Sequence, residues 1–431
     1  MDLEKLIKSD MFNDVYGDDP GMLAYQKERI KKAVSGYFDR FKDATEAHVF
    51  SAAGRSEIGG NHTDHQRGQV LAASLNIDSL AIAGAVSGNT ATVYSEGYDT
   101  YTIDLSDLEI KASETGSTAA LIRGVAAGFA KKGYAIGGFN AYITSDVLGG
   151  SGLSSSASFE SLIGVILSGL FNDNKVSTVD IAKIGQYAEN HYLDKPCGLM
   201  DQMACSVGGF VHINFGGASG GDTLFDDSYP KMERIEFDPE DYGYSLVITD
   251  TKASHADLTD EYAAIPKEMR SVAAYFGKEV LSEVPEDDFL QKIPEIRKKT
   301  GDRAIVRALH FFEENKRVIK EADALKHSDF QGFLEQFASS AKSSFEYLQN
   351  IHPTGRADEQ SMSIALGVSD VALNSPIKGV ARVHGGGFAG TIQTFVKSEY
   401  ADEYIKAMDA LLGDGVSKKY RIRKYGCVQI M

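Results

Sequence analysis

Three short segments combine residue types and spacings that could do chemistry. Leu148-Gly-Gly-Ser-Gly-Leu-Ser-Ser-Ser-Ala157 sets glycines and serines directly ahead of a strongly periodic apolar run. Glycine allows close backbone approach, and a helix start offers unpaired N–H groups and a positive dipole end. Those are the parts of a phosphate cradle, to which Ser154, Ser155 and Ser156 add hydroxyl donors or a ligand for magnesium. A Gly-rich turn with a serine N-cap is the other reading of the same string. It is not a Walker A loop, because no Lys follows the glycines, and it lacks the G-x-G-x-x-G spacing.

The second segment runs Gly54-Arg-Ser-Glu-Ile-Gly-Gly-Asn-His-Thr-Asp-His65 and continues Gln66-Arg67-Gly68. Arg, His and two acids between glycines suit recognition of a hydroxyl-rich ligand. Asp64 can accept from vicinal hydroxyls, and Arg55 can serve as a fork for phosphate. A solvated loop of mutually satisfied charges is the alternative. His62 and His65 are not spaced as a helical zinc pair, which argues against a metal hydrolase. In the third segment, Pro196-Cys-Gly-Leu-Met-Asp201-Gln-Met, an acid is flanked by Leu199, Met200 and Met203. Burial of such a carboxylate needs a partner or a purpose. Upstream, Glu189 sits on an expected helix and is suited to holding a cation. A further glycine run, Gly385-Gly-Gly-Phe-Ala-Gly390, links two strand patterns.

The chain that must position these residues is 431 residues long, enough for two or three domains at about 150 residues each. Acidic residues outnumber basic ones by 61 to 44, and the net charge of −17 argues against nucleic-acid or anionic-membrane partners. Cys197, Cys205 and Cys427 make neither a disulfide framework nor a zinc pattern. The N-terminus lacks the apolar stretch of a signal peptide. The greasiest run, from Phe159 to Phe171, contains Glu160 and falls short of the ~20 residues that span a bilayer. A cytoplasmic protein is expected, as a monomer or weak oligomer.

Apolar spacing predicts helices over residues 21–41, 118–132, from 159, 177–190, 302–322 and 328–348. Strands are expected at 48–52, 139–144, 244–249, 380–384 and 391–396, with hairpin-type strands in 70–86 and 90–105. The strand at 48–52 is expected to end in a loop over 54–64, and Ser177 to Asp180 resembles a capping box. Strands and helices interleave without a βαβα rhythm, which gives α+β. The Gly-rich stretch 216–221 is the candidate boundary, dividing residues 1–217 from 218–431.

In this order, the segments resemble the galactokinase branch of the GHMP small-molecule kinases. Gly54-Arg55 through His62-Thr63-Asp64 is similar to the galactokinase signature, and Gly150-Ser-Gly-Leu-Ser-Ser-Ser-Ala-Ser158 to the family's phosphate loop. Cys197-Gly-Leu-Met-Asp201-Gln matches the catalytic-acid segment, and Gly385-Gly-Gly-Phe388 the third GHMP motif. His255 and Glu261-Tyr262 fall where these kinases carry a His and a sugar-stacking Tyr.

The resemblance implies a two-lobed GHMP fold. An N-terminal lobe like ribosomal protein S5 domain 2 would bind sugar and ATP, a C-terminal lobe would be ferredoxin-like, and the active site would lie between them. The implied activity is ATP-dependent phosphorylation of the anomeric hydroxyl of galactose, with Mg²⁺. Arg55 would hold the developing charge between the sugar and the γ-phosphate, and Asp201 would accept the O1 proton or orient that hydroxyl. Gly150, Ser151, Gly152, Leu153, Ser154, Ser155 and Ser156 would cradle the phosphates, with Ser156 and Glu189 ligating Mg²⁺. Asn61, His62, Asp64, Gly198 and Tyr262 would hold the sugar.

Several positions depart from the family pattern. Asn61 stands where the family has a Glu on the C6 hydroxyl, His65 replaces Tyr, and Ala53 replaces Pro. One residue is added ahead of the phosphate loop, and no Cys-Pro-Glu-Leu-Asp stretch occurs near 350–360. A neutral Asn61, with Arg67 close in sequence, would tolerate a C6 carboxylate, so galacturonate or another galactose derivative is the alternative substrate. A non-catalytic galactokinase-like sensor is a further reading. Gly217-Ala-Ser219-Gly-Gly221 fits G-x-S-x-G, but no helical period follows it as a hydrolase elbow requires.

Overall fold

The computed structural model describes residues 9–147, 152–195, 197–217, 223–253 and 258–431. Its larger sheet is built on β1 (His48–Gly59) and β2 (Gln69–Ala85), an antiparallel pair. To these are added β3 (Thr90–Ser95), β4 (Thr100–Asp104), β5 (Phe139–Ser145), β6 (Phe210–Asn214) and β7 (Lys231–Ile235). The second sheet contains β8 (Tyr244–Asp250), β9 (Gly379–His384), β10 (Thr391–Lys397) and β11 (Ser417–Tyr420), and the last strand is β12 (Cys427–Gln429). The larger sheet runs β12-β1-β2-β5-β3-β4, with β6 on β2 and β7 on β6, and the smaller runs β11-β8-β10-β9.

Strand periodicity explains how β1 and β2 can be buried on both faces. Phe50, Ala52, Ala81 and Ala83 face a core shared with the helices Thr118–Lys131, Ser155–Phe171 and Thr178–His191. Their alternates Val49, Leu80 and Ile82 pack under the helix Pro20–Arg40. A separate cluster joins the two sheets, because Ile58, Leu71 and Leu75 pack with Leu246, Val380 and Phe395. The helices Asp302–Lys326 and Phe330–Ser343 supply Val318, Phe333 and Phe337 to that junction.

The α+β arrangement of two sheets is therefore present, and three expectations are corrected. First, β1 does not stop at Ala52 but continues to Gly59, so Arg55 and Glu57 lie on a strand rather than a loop. Pairing with β2 survives through irregularities at Ala53/Gly54 and Glu57/Gly59. Gly60 then ends the strand at φ +88°, where a Cβ would fall 2.4 Å from the Gln69 carbonyl. Second, residues 70–86 form one long strand whose two ends pair with different neighbours, β6 and β5, rather than a hairpin. Third, the boundary at 217/218 does not separate the sheets, since β7 and β12 both lie beyond it and return to the larger one. Ser177 caps its helix as expected, accepting from the Asp180 N–H. Among the described residues, no helix is long and apolar enough to cross a membrane.

Candidate active site

The extension of β1 carries Arg55 to the first turn of the helix Met200–Val207, where Asp201 sits. Nε and Nη2 of Arg55 donate to Oδ1 and Oδ2 of Asp201 at 2.8 and 3.0 Å, a bidentate pair. Nη1 donates to the Gly152 carbonyl at 2.5 Å, while the Arg55 N–H donates to the Leu153 carbonyl at 3.2 Å. The arginine thus ties the glycine-serine loop to the helix Met200–Val207. Ser154 donates to Asp201 as well, and adopts a left-handed conformation (φ +61°) to do so. Its hydroxyl is therefore not spent on capping, and among the described residues no side chain caps the helix Ser155–Phe171 that follows. The start of that helix remains available to an anion. Burial alone would raise the Asp201 pKa, but the Arg55 guanidinium and the Ser154 hydroxyl bring it below the ordinary value.

Beside this pair lies a cavity of about 320 Å³. His62, Asp64, Gly198, Ser156 and Glu189 all reach its wall, so the structure brings most of the candidate residues together. His62 Nε2 lies 2.9 Å from the Gly386 carbonyl, which can only accept, so Nε2 carries the hydrogen and Nδ1 is left as an acceptor. Burial pushes its pKa down to about 4, so the ring is neutral at pH 7. Asp64 begins a short 3₁₀ turn, and burial raises its pKa. A Cβ on Gly198 would come within 3.0 Å of Asp64 Oδ2, so the glycine lets the two segments close on each other.

Two of the five candidates for holding the sugar stand apart from the cavity wall. Asn61 is 0% exposed, and its Nδ2 donates to Glu57 Oε1 at 2.9 Å and to the Gly385 carbonyl at 2.7 Å. Its Oδ1 accepts from Asn350 at 2.8 Å, so the amide is committed within the protein rather than offered to a substrate. Tyr262 donates to the Gly387 carbonyl at 2.8 Å and stands behind Gly386, where a Cβ would meet its ring at 2.6 Å. Gly150, Ser151, His255 and Ser219 lie outside the described residues.

Similarity to known proteins agrees with this arrangement. Residues 120–209 match the model of the GHMP kinases N terminal domain, and residues 36–85 match the galactokinase galactose-binding signature. A galactokinase of Clostridium acetobutylicum is 30% identical over 387 residues, covering 86% of this chain and 92% of that protein. The chain belongs to the galactokinase family. The galactokinase of Bacillus subtilis is 27% identical over 380 residues, 87% of this chain and 90% of that one. The structure of Lactococcus lactis galactokinase complexed with galactose superposes with a TM-score of 0.75 at 23% identity, covering 93% of this chain and 99% of that one. The mevalonate kinase of Methanococcus jannaschii shares the fold, with a TM-score of 0.59 at 15% identity over 88% of this chain and 99% of that one. Like other members of the galactokinase family, the protein is an ATP-dependent sugar kinase.

The residues suited to a divalent cation are Ser156 and Glu189, whose oxygens are 3.2 Å apart. An all-oxygen pair fits hard Mg²⁺, which usually completes its shell with water and phosphate. A positive charge already rests there, because Lys195 Nζ lies 2.6 Å from Glu189 Oε1. Gln202 holds the other Glu189 oxygen at 2.8 Å and also meets buried Glu160 at 3.1 Å. Lys195, Gln202 and Glu57 line the cavity without having been named as site residues from the sequence, and His65, noted there for replacing the family's Tyr, lines it too. For Glu57 a signal existed: it is two residues beyond Arg55, the same-face spacing of a strand.

Proposed function

We propose that this chain transfers the γ-phosphoryl group of ATP to the anomeric hydroxyl of galactose, giving galactose 1-phosphate and ADP. The observation that carries the reading is the Arg55–Asp201 pair, set between an uncapped helix start and a polyol-sized polar cavity. ATP phosphates would lie along Gly152 to Ser156, where backbone N–H groups and the helix dipole favour them. His62 Nδ1 and Asp64 would accept from sugar hydroxyls and fix the ring, so that O1 faces Asp201. As the bond from phosphorus to the ADP oxygen breaks and the bond to O1 forms, the O1 proton passes to the Asp201 carboxylate. Arg55 keeps that carboxylate ionised and lies against the charge that spreads over the phosphoryl oxygens. Because its pKa is depressed, Asp201 serves first to orient the hydroxyl and takes the proton late. Ser156 and Glu189 would hold Mg²⁺, which supplies charge neutralisation on the nucleotide phosphates. The enzyme would act in the cytoplasm, as a monomer or weak oligomer. ADP release measured against a panel of hexoses, hexuronates and amino sugars tests the reading, and absence of turnover on every sugar would leave a sensor role instead.

A further inference from the structure

One carboxylate in the sugar cavity has no part in the chemistry above. Glu57 follows Arg55 by two residues on β1, in a stretch of regular pairing with β2 from Arg55↔Ser74 to Glu57↔Ala72. The two side chains therefore share a face, about 7 Å apart along the strand, which is close to the breadth of a pyranose. Asn61 Nδ2 at 2.9 Å and Arg382 Nη2 at 3.1 Å both donate to the same oxygen of Glu57, Oε1. No described residue donates to Oε2, although Glu57 is only 5% exposed and lines the cavity. A half-satisfied buried carboxylate costs stability unless something else completes it. Glu57 lies in the wall of the cavity proposed above to hold the sugar.

We propose that Glu57 is a specificity-determining residue that accepts a hydrogen bond from a sugar hydroxyl through Oε2, so that the site takes a neutral galactose-type hexose and rejects the uronate. This inference rests on the sugar-kinase reading of the cavity and names its substrate class. Asn61 acts in it as a positioning residue, holding Glu57 by Oε1. The neutral Asn61 amide therefore does not open the site to a C6 carboxylate, because what it holds in place is itself an acid. Among the described residues, three cations near the site are already paired. Arg67 is turned onto Glu279 and Glu283 at 2.8 and 2.9 Å, Arg55 is held by Asp201, and Lys195 by Glu189. His62 and His65 are both neutral, since burial lowers their pKa values. Burial also pushes Glu57 up to about 7 against the pull of Arg382 and Asn61, so a second anion would meet a group already short of solvation.

The test is kcat/KM on galactose and galacturonate for the wild type, Glu57→Gln and Glu57→Asp, with thermal melting of each. The wild type should prefer galactose by at least about a hundredfold, the scale set by unpaired buried polar groups. Glu57→Gln should lose about ten- to a hundredfold on galactose, mainly through KM, and should narrow the preference over galacturonate. Glu57→Asp keeps the charge beside Arg382 but withdraws it by one methylene, and should raise the galactose KM without narrowing that preference. Should the Gln variant fail to fold, the KM of the Asp variant decides. An unchanged galactose KM and an unchanged preference in the folded variants would overturn the proposal, as would a wild type that favours galacturonate. If another neutral hexose is the substrate and its KM rises in the same variants, Glu57 keeps its role and the galactose reading falls.

Discussion

Arg55 and Asp201 come from residues 146 positions apart in sequence and meet through two hydrogen bonds of 2.8 and 3.0 Å. The pairing has two consequences. It holds the carboxylate below its ordinary pKa, which favours the charged form, and it fixes the plane of the Asp201 carboxylate.

Asp201→Asn should retain nucleotide binding yet lose at least about a hundredfold in kcat, the usual scale for a positioned proton acceptor. Steady-state turnover together with fluorescent-nucleotide titration separates the two effects. Near-normal turnover would remove Asp201 from the chemistry.

Ser156 and Glu189 offer oxygens 3.2 Å apart, and phosphorylation should require a divalent cation that they help to hold. EDTA should abolish turnover, and Mg²⁺ should restore it. Ser156→Ala and Glu189→Gln should each raise the Mg²⁺ concentration needed for half-maximal rate by about tenfold or more. Turnover that persists in EDTA would show that the pair serves structure alone.

Gly198 leaves no room for a side chain, since a Cβ would stand 3.0 Å from Asp64 Oδ2. Gly198→Ala should displace Asp64 by a few tenths of an ångström and raise the sugar KM about three- to tenfold, with kcat and melting temperature little changed. An unaltered KM would mean that Asp64 does not hold the sugar.

Glu321 is fully buried beside Gly59, and neither of its carboxylate oxygens has a hydrogen-bond partner among the described residues. Burial, aided by the Glu314 charge, raises its pKa from 4.5 to about 8. A raised acid binds its proton more tightly folded than unfolded, so its contribution to stability is full below 4.5 and is lost as pH rises through about 8. Glu321→Gln should therefore gain stability relative to the wild type on going from pH 5 to pH 8, by on the order of a few kcal/mol. Denaturant melts at the two pH values measure the difference. A gap between variant and wild type that does not change with pH would contradict the assignment.

What the sequence revealed depended on how local each signal was. Ser177 announced its helix because a cap needs only the next three residues, and Asp180 confirms it through its N–H. The stripe from Phe159 to Leu170 was equally plain, since a helix buries its face at fixed spacing. Glycine and polar residues hid the strand character of Arg55 and Glu57, because only pairing with β2 makes that stretch extended. Asn61 misled for the complementary reason. Its partners Asn350, Gly385 and His310 lie hundreds of residues away, and no spacing along the chain discloses a buried network of that span.

The placement of β12 bears on how the molecule is made. Residues 427–429 pair with Ala52, Ser51 and Phe50, the stretch of β1 just ahead of Arg55. On the ribosome this strip leaves the exit tunnel after every other strand described above, including all four of the smaller sheet. Until then β1 presents a bare edge next to Arg55, a surface prone to pair with another nascent chain. Deleting residues 427–429 would recreate that edge, so solubility and phosphoryl transfer should be lost together.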